Sequence, residues 1–534
     1  MVSSLANSGF ILHAPAIRAY HHPLFWFWAV FVFRYLRTVV HLISFWCYQP
    51  APVPKNPRYK PEDCSVILPT VDPKNPEFKE CIESCLRNRP LEIIIVTVGS
   101  ENAAICREIS VHYSSQFPTV ISVNTCPIAN KRHQVATAIP KAVGDIIVLL
   151  DDHVIWPASF LRTAIAPFED ERVGAVGTNK RVRRTDTGFN VRSYWNMLGA
   201  IYLERHNFEI RATNTIDGGV FVISGRTSLH RTRILQDSEF LDGFTDERFF
   251  FGLCGPLNPD DDNYITRYEV RKGWDIKIQY CEDACIETTL GTYPKFVSQC
   301  LRWVRTTWRS NSCSLFTDRT VWRRQPWCVY AVYISSFFNF ALFNDFGLAY
   351  LLHRSGYGTT VMYWSFALWI FATKMLKLTP YFLRHPEDLR MLPGYFAFAY
   401  FHSLVKLYAL LTFWNCHWGG RNLAAITESA NGKTTDDINF IDPSSLPPYT
   451  DHNGRTICNH CGGSYVSVFR GMSQELLELF YDVDTGYLTW LGLVIAGLLI
   501  YFGFEVVIEN YGFVRHAYYP FAGPTLLCRS LGGC

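Results

Sequence analysis

Apolar residues form long runs near the two ends of this chain and short runs in its middle, which divides it into three parts. The first run, Leu24 to Cys47, opens LFWFWAVFVF. A bilayer span takes roughly 20 mostly apolar residues. Arg34 and Arg37 interrupt the run, so the pattern predicts a span ending near Arg34 and an interfacial remainder, with the arginines on the cytosolic side. YQPAPVPKNP (48–57) then predicts an extended linker. In the middle part, SVILPT (65–70), LEIIIVTV (91–98) and DIIVLLDD (145–152) are short β-branched runs alternating with helix-like stretches at 77–88 and 131–142. Such alternation predicts a parallel sheet covered on both faces, with ligands beyond the carboxyl ends of its strands. The third part predicts spans at about 328–352, 361–379 and 392–414, and a clear one in LTWLGLVIAGLLIYFGFEVVI (488–508).

The resulting division is a membrane or interfacial segment (1–47), a linker (48–59) and a globular region (60–320) that includes an interfacial helix at 294–312. Transmembrane or interfacial helices (321–418), a polar loop (419–486), a last span (487–510) and a tail (511–534) follow. Composition agrees: of 534 residues 49% are apolar and only 18% charged, against about 25% charged in soluble domains. A net charge of +3 is too small to imply a nucleic-acid partner. Seventeen cysteines follow no repeating framework and no cleavable signal peptide is evident, which predicts reduced, cytosolic thiols. Cys458 and Cys461 have the spacing of half a zinc site, with no second pair at the expected distance.

Three segments carry candidate chemistry. LLDDHVIWP (149–157) puts Asp151 and Asp152 at the end of a strand, where two carboxylates suit Mg²⁺ or Mn²⁺ or simply form a turn. LNPDDDNYITRYEVRKGWDIKI (257–278) starts a helix-like run with three acids, which either complement the helix dipole or include a general base. FVSQCLRWVRTTWRS (296–310) has an apolar face at helical spacing with Arg302, Arg305 and Arg309 interleaved. It predicts an amphipathic helix in the headgroup region whose arginines anchor it or reach a diphosphate.

Together and in this order, these segments resemble the processive family 2 glycosyltransferases, the hyaluronan, chitin and cellulose synthases, and most closely the fungal hyaluronan-synthase-like, capsule-type polysaccharide synthases. The resemblance covers about 34–424. Asp151-Asp152-His153 stands at the family's Asp-x-Asp position, Pro259 to Asn263 at its Gly-Asp-Asp-Arg, and Gln299, Arg302 and Trp303 fit Gln-x-x-Arg-Trp. SGRTSLHR (224–231), with Ser224 and Gly225, resembles the segment beside the acceptor, and YALLTFWNCHWGGR (408–421), with Trp418 and Arg421, the stretch ending Trp-Gly-Thr-Arg.

The resemblance implies a GT-A (Rossmann-like) α/β catalytic domain in the cytosol, joined to transmembrane and interfacial helices of a multi-pass plasma-membrane protein. It implies a UDP-sugar donor, an inverting mechanism, Mg²⁺ or Mn²⁺, and a growing polysaccharide exported through the chain's own channel, with membrane lipid as a further partner. Asp262 becomes the expected base, with Asp261 as the alternative. Asp152 is the expected metal contact, with His153 and Asp151 left open, because one register of the motif pairs Asp151 with His153. Thr70, Asp72, Lys131, Arg132, Asp151, Gln299, Arg302 and Trp303 become expected donor contacts. Ser224, Gly225, Trp303, Trp418 and Arg421 become expected acceptor or channel residues. The competing reading is a non-processive enzyme that glycosylates ceramide or a polyprenyl phosphate. Topology follows from the cations: an outside N-terminus, a cytosolic turn at 374–385, and an interfacial or re-entrant 392–414.

Overall fold

The computed structural model describes residues 22–416, apart from 187, 250, 251 and 253, together with 423–430, 449–450 and 456–457. Trp418, Arg421, Cys458, Cys461, most of the 419–486 loop and the 487–510 span lie outside the described residues. The chain divides into two compact units: Trp26–Cys461, and the two ends Met1–Phe25 with Gly462–Cys534.

The central sheet is built from β1 (Cys64–Pro69), β2 (Glu92–Val98), β3 (Val120–Cys126) and β4 (Ile146–Leu150). Outside it lies β5 (Val154–Ile155); the sheet then takes in β6 (Val173–Thr178), and β7 (Lys180–Val182) again lies outside. β8 (Thr227–Arg231) and β9 (Asp275–Gln279) complete it, while β10 (Ile286–Thr288) joins β5 and β7 in a second, three-stranded sheet. The strand order is β3-β2-β1-β4-β8-β6-β9. β3, β2, β1 and β4 pair in parallel, as expected. β8, however, pairs antiparallel with both β4 and β6, so the sheet is parallel-dominated rather than wholly parallel. Every residue of β1, β2 and β4 is buried, which is why they read as continuous apolar runs. One face packs Phe78, Ile82 and Phe160, and the other Val135, Ile139, Phe240 and Phe244. The result is a Rossmann-like α/β domain.

The helices at 76–86 and 131–138 start where capping chemistry dictates. Asn75 accepts from Glu77 N at 3.0 Å ahead of Pro76, and Asn130 accepts from Arg132 N at 2.9 Å. The linker is extended, and it is pinned to β9 by Tyr48 Oη donating to Ile278 O (2.6 Å) and Ala51 N donating to Gln279 Oε1 (2.9 Å).

The N-terminal helix differs from expectation. It runs unbroken over Pro23–Cys47, through both arginines, because each finds a partner inside the protein. Arg34 pairs with Asp345 at 2.7 Å, and Arg37 donates to Ala331 O and Ser335 Oγ. Lys374 pairs with Asp345 and Lys377 with Glu209, so the cations of the expected 374–385 turn also have internal partners. Among the described residues, Pro23–Cys47 is the one single helix long and apolar enough to cross a membrane. The stretch expected to span at 328–352 is broken: Pro326–Phe338 and Ala341–Arg354 meet at 86°. The other two expected spans form shorter helices, Thr360–Leu376 and Leu392–Leu410. The predicted amphipathic helix is present at Lys295–Ser312. Its Phe296 and Cys300 pack with Met197, Tyr381 and Phe398 in a core of their own, which joins the α/β domain to the apolar helices.

Candidate functional site

A cavity of about 830 Å³ opens beyond the carboxyl ends of β1 and β4. Its floor follows from strand pairing. Because β1 and β4 are neighbours, Thr70 just after one meets Asp151 and Asp152 just after the other. Thr70 Oγ1 donates to Asp152 Oδ2 at 2.8 Å, and Asp152 Oδ1 lies 3.0 Å from His153 Nδ1. Asp151 instead accepts from Lys131 Nζ at 2.8 Å.

Lys131 binds the two acidic motifs together, since its ammonium also reaches Asp261 Oδ2 at 2.9 Å and Gly225 O at 3.1 Å. All three of its N–H donors are thus engaged, and a diphosphate oxygen reaching Lys131 would replace one of these acceptors.

The three acids of the second motif have three different environments. Asp260 is in the left-handed region (φ 72°) and 3% exposed, and it turns the chain into the helix Asp261–Arg271. Its carboxylate is gripped by Arg309 Nε (2.8 Å) and Nη2, and by Thr306 Oγ1. Such a buried, fully paired carboxylate is a structural tie and not a base. Asp261 is held ionised: burial alone would raise its pKa, but Lys131, with Arg132 and Arg302, more than offsets burial and puts it below the usual range. Asp262 goes the other way. Burial, and next the charge of Asp261, push it up to about 6, against the pull of Lys131 and the Gly225 N–H that donates to Oδ2 at 3.1 Å. Glycine at 225 lets the backbone come this close, because a Cβ there would stand 3.2 Å from Asp262 Oδ2 and press on the carboxylate. A carboxyl poised near neutrality, in a cavity, beside a fixed N–H, has the properties that general-base chemistry requires.

The helix Lys295–Ser312 supplies the opposite wall through Gln299, Arg302 and Trp303. Trp303 packs against Tyr202 (5.0 Å between ring centroids), with the Arg226 guanidinium 5.7 Å from its own ring centre. Gln299 Oε1 is buried without a hydrogen-bond partner among the described residues, which leaves an acceptor for a ligand hydroxyl.

Thr70, Lys131, Asp151, Asp152, His153, Ser224, Gly225, Asp261, Asp262, Gln299, Arg302 and Trp303 therefore share one cavity. Two expected donor contacts do not line it. Arg132 is fully buried, donating to Phe244 O and Pro259 O and pairing with Glu247 at 2.6 Å, so it braces the 259–263 turn from behind. Asp72 sits beyond the rim, its backbone N–H donating to Thr70 Oγ1. Of the interleaved arginines, Arg305 turns to Thr412 and Arg309 to Asp260, leaving Arg302 at the cavity.

Lys180, Arg226 and His206 also line the cavity, and the sequence pattern did not single them out. Lys180 is 2% exposed on β7, and burial, then Arg226, lower it to about 7. Its Nζ lies 3.0 Å from His206 Nδ1. Arg226 stands in the 224–231 segment beside Gly225, while no motif marks Lys180 or His206, which meet because the long helix Val191–Asp217 packs along β7.

Among the described residues no three His, Cys, Asp or Glu side chains converge as a metal cage. Asp152, with Asp151 or His153 beside it, still fits a divalent cation of the Mg²⁺ or Mn²⁺ kind, which commonly takes one or two carboxylates and completes its shell with substrate phosphates and water. Asp152→Asn is expected to abolish transfer and weaken donor binding, with His153→Ala milder because these cations prefer oxygen ligands. Donor affinity measured with and without added Mn²⁺ checks it. Equal loss in both variants would favour the Asp151–His153 register.

Residues 61–306 match the family described as "Glycosyltransferase like family 2". A type 2 glycosyltransferase of Gibberella zeae is 40% identical over 422 residues, 77% of this chain and 78% of that protein. An NDP-glycosyltransferase of Aspergillus luteorubrus is 33% identical over 266 residues, 49% of this chain and 64% of that protein. Among solved structures, a mannosyltransferase from Pyrobaculum calidifontis in complex with GDP-Man and Mn²⁺ aligns at 16% identity with a TM-score of 0.44, covering 72% of this chain and 97% of that one.

Proposed function

The chain belongs to the family 2 glycosyltransferases, enzymes that take sugar from a nucleotide-sugar donor, and on that premise we propose that it polymerises sugar from a UDP-sugar into a β-linked polysaccharide and passes the product through its own helices. One observation carries the proposal: the cavity does not end at the acids. The same wall that holds Asp262 and Trp303 continues past Tyr395 and His402 to Arg37 and Lys406, between the N-terminal helix and the apolar helices. A growing chain needs such an extension, whereas a small soluble acceptor released after one transfer does not. Large apolar side chains stand exposed on these helices, among them Trp28, Ile43, Trp364, Leu368 and Phe401, as a lipid-facing surface requires.

In this reading Asp262 takes the proton from the hydroxyl at the chain end. The freed oxygen attacks the anomeric carbon from the face opposite the diphosphate, the bond to phosphate breaks, and UDP leaves with inversion. Arg302 faces the departing diphosphate, and its planar fork suits two phosphate oxygens. A bound divalent cation would neutralise part of the diphosphate charge at Asp152. Trp303 offers the acceptor sugar an apolar face.

Trp303→Ala is expected to shorten the product while leaving UDP-sugar affinity within about twofold, since an aromatic contact is worth about 0.5–1.5 kcal/mol and touches only the acceptor. Product sizing on gels beside a donor-binding titration checks it. An unchanged size distribution with weakened donor binding would place Trp303 on the donor instead and count against the channel.

A further inference from the structure

Lys180 is a buried amine that the mechanism above does not use. It stands on β7, 2% exposed, and lines the cavity. Its backbone is clamped on both sides by one residue of the long helix. Lys180 N donates to Asn207 Oδ1 at 3.3 Å, and Asn207 Nδ2 donates to Lys180 O at 2.7 Å. The clamp brings the neighbouring His206 to Lys180, with Nζ 3.0 Å from Nδ1. Burial, then the charge of Lys180, hold His206 well below the usual histidine range, so its ring is neutral and its Nδ1 accepts from the lysine. No other group among the described residues takes a hydrogen bond from this Nζ. Lys131 is the contrast, since its three N–H donors all end on protein oxygens. A lysine that served only to join β7 to the long helix would have its donors completed in the same way, because a buried donor left open is costly.

The groups around Lys180 lie on the same side of the cavity as the base. The carboxylate whose charge acts on it is Asp262, and the cation that acts on it is Arg226. Arg226 lies over Trp303, and its Nε is buried without a hydrogen-bond partner among the described residues. His206 packs on Phe221, 5.2 Å between ring centroids, at the start of the segment that leads to Gly225 and Arg226. An aromatic face bordered by unfilled donors suits a sugar, whose ring lies on the aromatic surface while its hydroxyls take the donors.

We propose that Lys180, steered by His206, donates a hydrogen bond to a second hydroxyl of the terminal acceptor sugar and so fixes the attacking oxygen at Asp262. The inference rests on the polymerising reading above and adds to it a residue that orients the acceptor. A sugar held at two points presents its attacking oxygen in one direction, which lets it outcompete water for the donor. Without Lys180 the sugar is held less well, and water takes a larger share.

The test uses the full chain in nanodiscs with UDP-glucose, UDP-N-acetylglucosamine and UDP-glucuronate, singly and paired. The sugar leaving the donor is divided into glycan-linked product and free monosaccharide. Lys180→Met is expected to raise the ratio of free to glycan-linked sugar by about tenfold to a hundredfold, as loss of one charge-assisted hydrogen bond implies. His206→Leu removes the group that steers Nζ, so it should shift the ratio the same way by less, and it reports even where Lys180→Met misfolds. Lys180→Ala leaves room for a small amine, and added ethylamine should restore part of the glycan transfer. A lysine that only joins strand to helix predicts otherwise: both products fall together with the folded fraction, and ethylamine restores nothing. That result overturns the proposal. A wild type that makes polymer while Lys180→Met and His206→Leu keep the wild-type ratio retains the polymerising reading and loses the Lys180 contact. Single-sugar transfer to lipid alone by the wild type overturns both.

Discussion

Asp262→Asn is expected to lower turnover by about 10²–10⁴-fold, the usual contribution of a general base, while UDP-sugar affinity stays near that of the wild type. The carboxylate lies beside Gly225 and not at the Thr70–Asp152 floor, so in the proposed mechanism it meets the acceptor and not the diphosphate. Stability should not fall. Burial and the neighbouring Asp261 raise the Asp262 pKa, so the ionised form is disfavoured in the folded chain. For a carboxyl raised on folding, stability declines as pH rises from the unfolded value near 4 to the folded value of about 6. Asparagine removes that penalty, so at neutral pH the variant should melt at or slightly above the wild-type temperature. In the wild type, the same titration should make kcat fall as pH drops through about 6, because the base must be ionised to accept a proton. Near-normal polymer output from Asp262→Asn would move the base to Asp261, although that carboxylate is already committed to Lys131.

Arg309→Met should do the opposite, damaging the fold first. Arg309 and Asp260 are each 2% exposed in their side chains, and removing one partner of a buried pair typically costs about 3–5 kcal/mol. Arg309 also donates to Phe413 O (2.7 Å) and Asn415 O (3.2 Å), tying Lys295–Ser312 to the segment after Leu392–Leu410. Its loss should lower the melting temperature sharply and reduce activity only in proportion to the folded fraction. Combining it with Asp260→Asn should cost less than the sum of the two single changes, since the uncompensated buried charge is then gone. A full-strength melting curve with selective loss of turnover would instead place Arg309 among the groups that touch substrate.

Much of this arrangement was legible in the sequence where local pattern decides the outcome. β1, β2 and β4 are buried on both faces, so their apolar runs identified them within a residue or two. The acids at 151–152 and 260–262 sit at strand and helix ends, where polar residues following an apolar run are conspicuous. What sequence did not yield depends on distant partners. β3 is largely exposed or half-buried and carries no apolar run, and β8 enters the sheet antiparallel through a long connection. Arg132 stands next to Lys131, yet successive helix residues face different ways, so one lines the cavity and the other pairs with Glu247. Arg34 and Arg37 look like the end of a span until Asp345, Ala331 and Ser335, some three hundred residues on, supply their partners.

The most direct test of a polymerising, product-threading enzyme is to give the purified chain in nanodiscs each UDP-sugar singly and in pairs, and to follow UDP release and product size together. With the right donor or donor pair, UDP release should far exceed the number of enzyme molecules, and the product should lengthen steadily into a polymer. UDP release that yields only a single sugar added to a lipid, whatever the donor, would contradict polymerisation and leave a non-processive family 2 glycosyltransferase in its place.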